Sequence, residues 1–137
     1  MSSIVFIGGG NMASCIIGGM IAQGFESSDI AVSVPTQNSR DRLKSEFNVQ
    51  VTDDNRSAVA SADVVVLAVK PQIMRSVALD VASAIPAKAV VVSIAAGISI
   101  ESIQAWLGDS IAIVRAMPNT PSLVSTGATG LYANPTT

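Results

Sequence analysis

Three consecutive glycines, Gly8 to Gly10, follow the short apolar run Ile4–Ile7. Together with the next three residues they match the pattern G-x-G-x-x-A, ending at Ala13, directly after a predicted strand and at the start of a predicted helix. Gly8 allows a tight turn, Gly10 lets a pyrophosphate approach the backbone, and Ala13 lets the helix pack closely on the strand. The N-terminus of that helix offers N–H groups and partial positive charge to phosphates. The stretch therefore predicts a dinucleotide phosphate site, with a glycine turn that serves packing alone as the alternative.

The residues after the second predicted strand bear on which dinucleotide is bound. In sites that take NAD, an Asp or Glu at this point bonds the ribose hydroxyls. Here residues 33–40 read SVPTQNSR and contain no acid, and Asp29 lies at the wrong end of the strand. Because a carboxylate there would repel a 2′-phosphate, the stretch favours NADP(H), with NAD(H) as the open alternative. Arg40 could assist, or it could be a solvated charge on the following helix.

Alternating strands and helices must position these residues. Strands are predicted at 4–7, 30–34, 49–51 and 64–69, within 89–97 and 110–121, and near 127–134, and helices at 11–23, 39–47, 55–60, 71–81 and 99–106. The run Val64–Val69 is continuously apolar, which is typical of a central parallel strand covered on both faces. In the helix that begins at Pro71, Ile73, Val77 and Val81 recur at helical spacing. The alternation predicts an α/β fold, with a doubly wound, mostly parallel sheet and helices on both faces.

The composition argues against several other classes of protein. The chain is 49% hydrophobic and 13% charged, which argues against disorder. A net charge of -2 and 4% aromatic residues argue against nucleic-acid binding. With no histidine and one cysteine, neither a His/Cys metal site nor a Ser-His-Asp triad is expected. Cys15 cannot form an internal disulfide and fits a reducing, cytoplasmic location.

The uncharged first 25 residues are long enough to cross a membrane. Glycines, Asn11 and Gln23 interrupt them, however, and they lack the Lys/Arg n-region of a signal peptide. We therefore expect no membrane partner.

Four blocks, in order along the chain, resemble pyrroline-5-carboxylate reductase: IGGGNMASCIIGG, DDNRSAVASADVVVLAVKPQ, VVSIAAGISIESIQ and RAMPNTP. The similarity runs over the full 137 residues, and AVKPQ and RAMPNTP are far more specific than the glycine motif. The resemblance implies a Rossmann-type NAD(P)-binding domain. It also implies an oxidoreductase of proline biosynthesis that acts on a C=N bond, reducing the small molecule 1-pyrroline-5-carboxylate to L-proline with NAD(P)H.

The resemblance also implies which residues bind the cofactor, each at the C-terminal end of a predicted strand, where open α/β sheets bind ligands. They are Ile7, Gly8, Gly9, Gly10, Asn11 and Met12 along the glycine loop, Ser33 near the 2′-phosphate, Asn55 at the adenosine, Ala68, Val69, Lys70 and Pro71 beside the nicotinamide half, and Ile94, Ala95, Ala96 and Gly97 opposite. Three alternatives stay open. Asn55 could be a helix N-cap, Lys70 a surface charge, and residues 95–97 small packing residues.

Members of this family are about twice as long, with a C-terminal helical domain that forms the dimer and binds the substrate. The resemblance therefore implies that residues 1–137 are one cofactor-binding domain of a homo-oligomeric enzyme. We expect the chain to bind dinucleotide and to turn over little by itself, with no catalytic residue that we can name. Two alternatives remain: another two-domain NADP-dependent reductase, such as a β-hydroxyacid dehydrogenase or a ketopantoate-type enzyme, and a non-catalytic Rossmann module that senses nucleotides.

Overall fold

The computed structural model describes residues 3–94, 98–108, 110–116 and 131–133. Its strands are β1 (Ile4–Ile7), β2 (Ile30–Ser33), β3 (Gln50–Thr52), β4 (Val64–Leu67), β5 (Val90–Ser93), β6 (Ala112–Ala116) and β7 (Leu131–Ala133). Its helices are α1 (Asn11–Ala22), α2 (Gln37–Phe47), α3 (Asn55–Val59), α4 (Pro71–Val81) and α5 (Ile100–Leu107), and a short 3-10 helix, Ser27–Asp29, precedes β2.

The described strands form one sheet in the order β3-β2-β1-β4-β5-β6-β7. Strands β1 to β6 pair in parallel, and β7 pairs antiparallel with β6. The chain adds strands on both sides of the β1–β4 pair: β2 and β3 lie beyond β1, and β5, β6 and β7 lie beyond β4. Ile7 at the end of β1 pairs with Ser33 of β2 on one side and with Leu67 of β4 on the other. Such a reversal is a topological switch point, and ligands of open α/β sheets bind outside the carboxyl ends of the strands there.

An apolar cluster covers each face of the sheet. Val5 and Ile7 pack with α3, α4 and α5 on one face, while Ile4 and Phe6 pack with α1 and α2 on the other. This alternation follows from the two-residue period of a strand. Because both faces are buried, the central strands are apolar at every position, and the predicted doubly wound α/β fold is confirmed. Among the described residues no helix is long and apolar enough to cross a membrane.

The buried side of α4 differs from the predicted one. Val81 is buried as expected, but Met74 and Ala78 complete the buried face, and Ile73 is 48% exposed. A helix turns about 100° per residue. The buried face of α4 therefore includes Met74 and Ala78 in place of the predicted Ile73 and Val77, one position earlier in each case. That shift leaves Ile73 near the carboxyl ends of the strands.

The carboxyl end of α4 is held by Arg56 of α3. Nη1 of Arg56 donates to the carbonyl of Asp80 at 3.0 Å, and Nη2 donates to Oγ of Ser83 at 3.1 Å. The last carbonyls of a helix lack partners within the helix, and a positive charge is favourable there. The last turn of α4 carries no basic residue of its own, so Arg56 supplies this charge from a neighbouring helix.

We expect Arg56→Met to lower the free energy of unfolding by about 1 kcal/mol, because two charge-assisted hydrogen bonds at an exposed site are lost. Urea unfolding followed by circular dichroism measures the change. Arg75→Met, which removes an exposed arginine from α4 itself, serves as the control and is expected to change stability by less than about 0.5 kcal/mol. Equal stability of the two variants would contradict the role given to Arg56.

Candidate functional site

The ends of four neighbouring strands are joined by backbone hydrogen bonds that continue into the following loops. The N–H of Gly8 donates to Ser33 at 2.9 Å, the N–H of Ala68 donates to Ile7 at 2.8 Å, and the N–H of Ile94 donates to Leu67 at 3.2 Å. The loops after β2, β1, β4 and β5 therefore lie side by side. Of the predicted site residues on these four loops, the structure brings those that it describes together at the carboxyl-terminal edge of the sheet.

Gly8 occupies a position that no other residue fits. Its φ is +99°, and a Cβ there would lie 2.6 Å from the carbonyl oxygen of Ala68. Residues with a side chain rarely adopt this φ, and the backbone of Ala68 is held by its own hydrogen bond to Ile7. Gly8 therefore makes the tight turn that the motif predicts.

Gly9 and Gly10 differ in what surrounds them. A Cβ on Gly9 would lie 2.8 Å from both Val34 and Leu43, whereas a Cβ on Gly10 would meet nothing within 4 Å. The φ of Gly10 is -73°, which any residue can adopt. Packing thus explains glycine at positions 8 and 9 but gives no reason for it at position 10. Open space beside Gly10 is what a ligand approaching the backbone requires.

The N-terminus of α1 borders that open space. Gly10 is the N-cap of α1 and contributes no side-chain cap, and no acidic residue lies in the first turn. The first N–H groups of a helix have no partner within it, so they are available to an anion. Met12 is 36% exposed in the same turn, and Ala13 is buried against the sheet. The predicted strand, glycine loop and helix are all present in the predicted geometry.

A pocket of about 220 Å³ opens beside Gly8. Its lining residues are Ile7, Gly8, Ser33, Pro35, Asp53, Asn55, Val69, Ile73 and Val77. Ligand pockets typically measure about 300–1,000 Å³, so this one suits a part of a larger ligand. Val69, Ile73 and Val77 offer apolar contact, and Ser33 and Asn55 offer hydrogen bonds. The exposure of Ile73 is explained if a flat apolar group covers it.

Ser33 and Asn55 are linked within this pocket. The hydroxyl of Ser33, which is 2% exposed, donates to Oδ1 of Asn55. The N-cap of α3 is Asp54, whose side chain accepts from the N–H of Ser57 at 3.1 Å. The alternative prediction that Asn55 is the N-cap is therefore wrong. Its side chain crosses from α3 to the end of β2, which places an amide at the polar side of the pocket.

Asp53 also lines the pocket, although it is not among the residues predicted from sequence. The prediction of cofactor type rests on the residues after β2 alone. Strand β3 runs parallel to β2, with Thr52 opposite Ser33, so the residue after β3 emerges beside the end of β2. The signal was present in the sequence as an acid two residues after the third predicted strand.

Arg40 lies against the turn that follows β2. Its Nη1 donates to the carbonyl of Val34 at 3.0 Å, and its Nη2 donates to Oε1 of Gln37 at 3.0 Å. Thr36 caps α2 in the same turn by accepting from the N–H of Ser39 at 3.3 Å. The guanidinium is therefore held near the end of β2, where Arg40 is partly exposed.

The remaining predicted residues follow β4 and β5. Lys70 is exposed at the N-cap of α4, and Pro71 is the first residue of that helix, where proline is favoured. Ile94 is 9% exposed and packs on the side of the sheet that faces α1 and α2. Ala95, Ala96 and Gly97 lie outside the described residues. Among those described, no three His, Cys, Asp or Glu side chains are grouped as metal ligands.

A strand, glycine loop and helix at the switch point of a parallel sheet define a Rossmann-type domain. Residues 3–97 match the family described as NADP oxidoreductase, coenzyme F420-dependent. The chain belongs to that family.

The chain is also similar to several pyrroline-5-carboxylate reductases, which confirms the resemblance carried by the four sequence blocks. It is 50% identical over 131 residues to the one from Pseudomonas aeruginosa, covering 96% of this chain and 48% of that relative. It is 38% identical over 132 residues to the one from Escherichia coli, covering 96% and 49%. The chain thus spans about half the length of the relatives it matches.

Two solved structures are also similar to this chain. The pyrroline-5-carboxylate reductase of Coxiella burnetii superposes with a TM-score of 0.89 at 43% identity, covering 99% of this chain and 51% of that one. The pyrroline carboxylate reductase of Plasmodium falciparum with NADP bound superposes with a TM-score of 0.83 at 24% identity, covering 99% and 49%. At that identity the second similarity shows the fold alone.

Proposed function

We propose that this chain is the cofactor-binding part of an NAD(P)H-dependent reductase that converts 1-pyrroline-5-carboxylate into L-proline. The observation that carries the cofactor role is the open space at Gly10, on a loop whose neighbouring glycines are explained by packing. The substrate is proposed from the 50% identity to a pyrroline-5-carboxylate reductase along 96% of this chain. The description of its family as NADP oxidoreductases supports the choice of NADP(H).

The order of the loops along the sheet edge suggests how the cofactor lies. The pyrophosphate would rest on Gly8–Gly10 and the first turn of α1. The adenosine would enter the pocket on the β2 side, against Ser33 and Asn55, with the 2′-phosphate toward Arg40. The nicotinamide half would extend the opposite way, past Ala68 and Ile94.

Val69 is placed nearer the adenosine than the other residues of its loop. It lines the same pocket as Ser33 and Asn55, so we place it against the adenosine, although the resemblance implied the nicotinamide half. When bound, the nicotinamide supplies the hydride that the carbon of a C=N bond accepts. The residues of this chain bind and orient the cofactor for that transfer.

The substrate site and the homo-oligomer contacts are proposed to need the part of the relatives that this chain does not span. The chain is therefore expected to bind dinucleotide and to form little proline by itself. We place the enzyme in the cytoplasm, because Cys15 is a free cysteine and the cytoplasm keeps thiols reduced.

Titration of the chain with NADPH and with NADH, followed by nicotinamide fluorescence, tests the cofactor role. NADPH is expected to bind more tightly than NADH, and binding of neither would contradict the proposal. The reaction is tested on the product of the full gene, with 1-pyrroline-5-carboxylate or ketopantoate in the presence of NADPH, and with a β-hydroxyacid in the presence of NADP+, which its oxidation would reduce. NADPH oxidation with 1-pyrroline-5-carboxylate alone supports the reductase, whereas activity on either other substrate would replace it with that enzyme.

Asp53 is expected to weaken NADPH binding, since its carboxylate lines the pocket proposed for the adenosine. Two unit charges 4 Å apart repel by about 1 kcal/mol in water, so Asp53→Asn is expected to tighten NADPH about fivefold and to leave NADH within about twofold. Asp29→Asn removes the same charge at the opposite edge of the sheet and is the control. Equal effects on NADPH and NADH would show that Asp53 does not face the 2′-phosphate.

A further inference from the structure

Arg42 of α2 makes contacts that the proposed function has not used. Its Nη2 donates to the carbonyl of Gly9 at 2.9 Å, and its Nη1 lies 3.4 Å from Oγ of Ser14, near the start of α1. The same guanidinium forms an ion pair with Glu46 at 3.5 Å, and the two side chains are 47% and 52% exposed. A planar guanidinium with several fixed donors can hold two such acceptors at once. Arg42 therefore bridges α2, the glycine loop and the first turns of α1.

The carbonyl that Arg42 holds belongs to the peptide unit that also carries the N–H of Gly10. In a trans peptide the C=O and N–H point in opposite directions, and the described residues contain no cis peptide bond. Fixing the Gly9 carbonyl toward α2 therefore fixes the Gly10 N–H on the side away from α2. Gly10 has no Cβ of its own and open space around it, so the rotation of this peptide is not otherwise restricted by a side chain.

Leu43, the next residue of α2, packs against the same loop. Leu43 is fully buried, and its Cδ1 lies 2.8 Å from the point where a Cβ of Gly9 would be. Leu43 thus sets how closely Gly9 approaches α2, and Arg42 sets the direction of its carbonyl. Neither residue belongs to the glycine motif.

We propose that Arg42 is a positioning residue for dinucleotide binding, which orients the Gly9–Gly10 peptide so that the loop receives the pyrophosphate without rearranging. This inference rests on the proposed function, because it concerns the same loop. A loop held in its bound conformation loses less entropy on binding. The effect should therefore be shared by every ligand that carries the pyrophosphate, whatever its 2′ substituent.

The test compares Arg42→Met with Lys44→Met, which removes the same charge from an exposed site on the same helix. Dissociation constants are measured for NADPH, for NADH and for 2′-AMP, which carries the adenosine and 2′-phosphate but no pyrophosphate. We expect Arg42→Met to weaken NADPH and NADH equally, by about fivefold, and to leave 2′-AMP unchanged. Lys44→Met is expected to leave all three constants within about twofold and to unfold at the wild-type temperature, since exposed substitutions rarely change stability. Arg42→Met loses hydrogen bonds to Gly9 and Ser14, so its unfolding temperature should fall slightly, and circular dichroism checks that it is folded at the temperature of the titrations.

Four results would overturn the inference. Weaker binding of NADPH alone would mean that Arg42 contacts the 2′-phosphate. Weaker binding of 2′-AMP as well, or an equal loss in Lys44→Met, would mean a general effect of charge or folding. Unchanged constants in Arg42→Met would show that the loop needs no support from α2. A wild-type chain that binds neither dinucleotide would instead contradict the proposed function itself.

Discussion

Gly10→Val is expected to abolish dinucleotide binding while the fold stays intact. The φ of Gly10 is -73°, and a Cβ there meets nothing within 4 Å, so the unliganded protein accommodates the backbone and the Cβ of a valine. The valine side chain would occupy the space through which a pyrophosphate must approach the backbone. We expect the dissociation constant for NADPH to rise at least about fiftyfold, which corresponds to more than 2 kcal/mol of binding free energy.

Fluorescence titration measures the binding, and circular dichroism with thermal unfolding checks the fold. Ala22→Val is the matched control, since it adds a branched side chain at the exposed far end of α1, about 18 Å along a helix of this length. Gly10→Ala should give an intermediate loss, because a methyl group fills less of the space. Wild-type affinity in Gly10→Val would leave packing as the sole role of the glycine cluster.

The elements that could be predicted from sequence are those fixed by local chemistry. Strand β1 begins and ends at the predicted residues because four buried apolar positions are followed directly by glycine. The start of α4 at Pro71 and the Ser99 cap of α5 follow from proline at a first helical position and from a serine side chain that accepts from Ser102. The glycine loop was predictable because its motif requires both a preceding strand and a following helix.

The parts of the site that were missed depend on contacts between distant elements. Arg42 lies 33 residues from Gly9, and its role depends on how α2 lies beside the loop, which no local pattern encodes. Asp53 reaches the pocket only because β3 pairs with β2. Ile73 was predicted to share the apolar row of α4 because periodicity defines a stripe on a helix without fixing which edge of that stripe meets the sheet. In each case the missing information is the relative position of two elements.

Gly8→Ala is expected to lower the free energy of unfolding by about 3 kcal/mol. Part of this loss, about 1–2 kcal/mol, is the cost of placing a side chain at a positive φ, and the rest comes from a Cβ 2.6 Å from the Ala68 carbonyl, because overpacking of this kind costs about 1–3 kcal/mol. Gly24→Ala separates the two terms. Gly24 has a similar φ of +105° but nothing within 4 Å of its Cβ position, so it should lose only the first part.

Urea unfolding of the two variants therefore measures how closely the loops that follow β1 and β4 approach each other at Gly8 and Ala68. A Gly8→Ala chain that does not fold beside a soluble Gly24→Ala chain supports the same conclusion, whereas equal losses would show that the Ala68 loop moves aside. Gly8 is required by the fold before any ligand arrives, whereas Gly10 is proposed to be required for the approach of the ligand. Loss of cofactor binding in Gly8→Ala would thus accompany a loss of stability, and in Gly10→Val it would not.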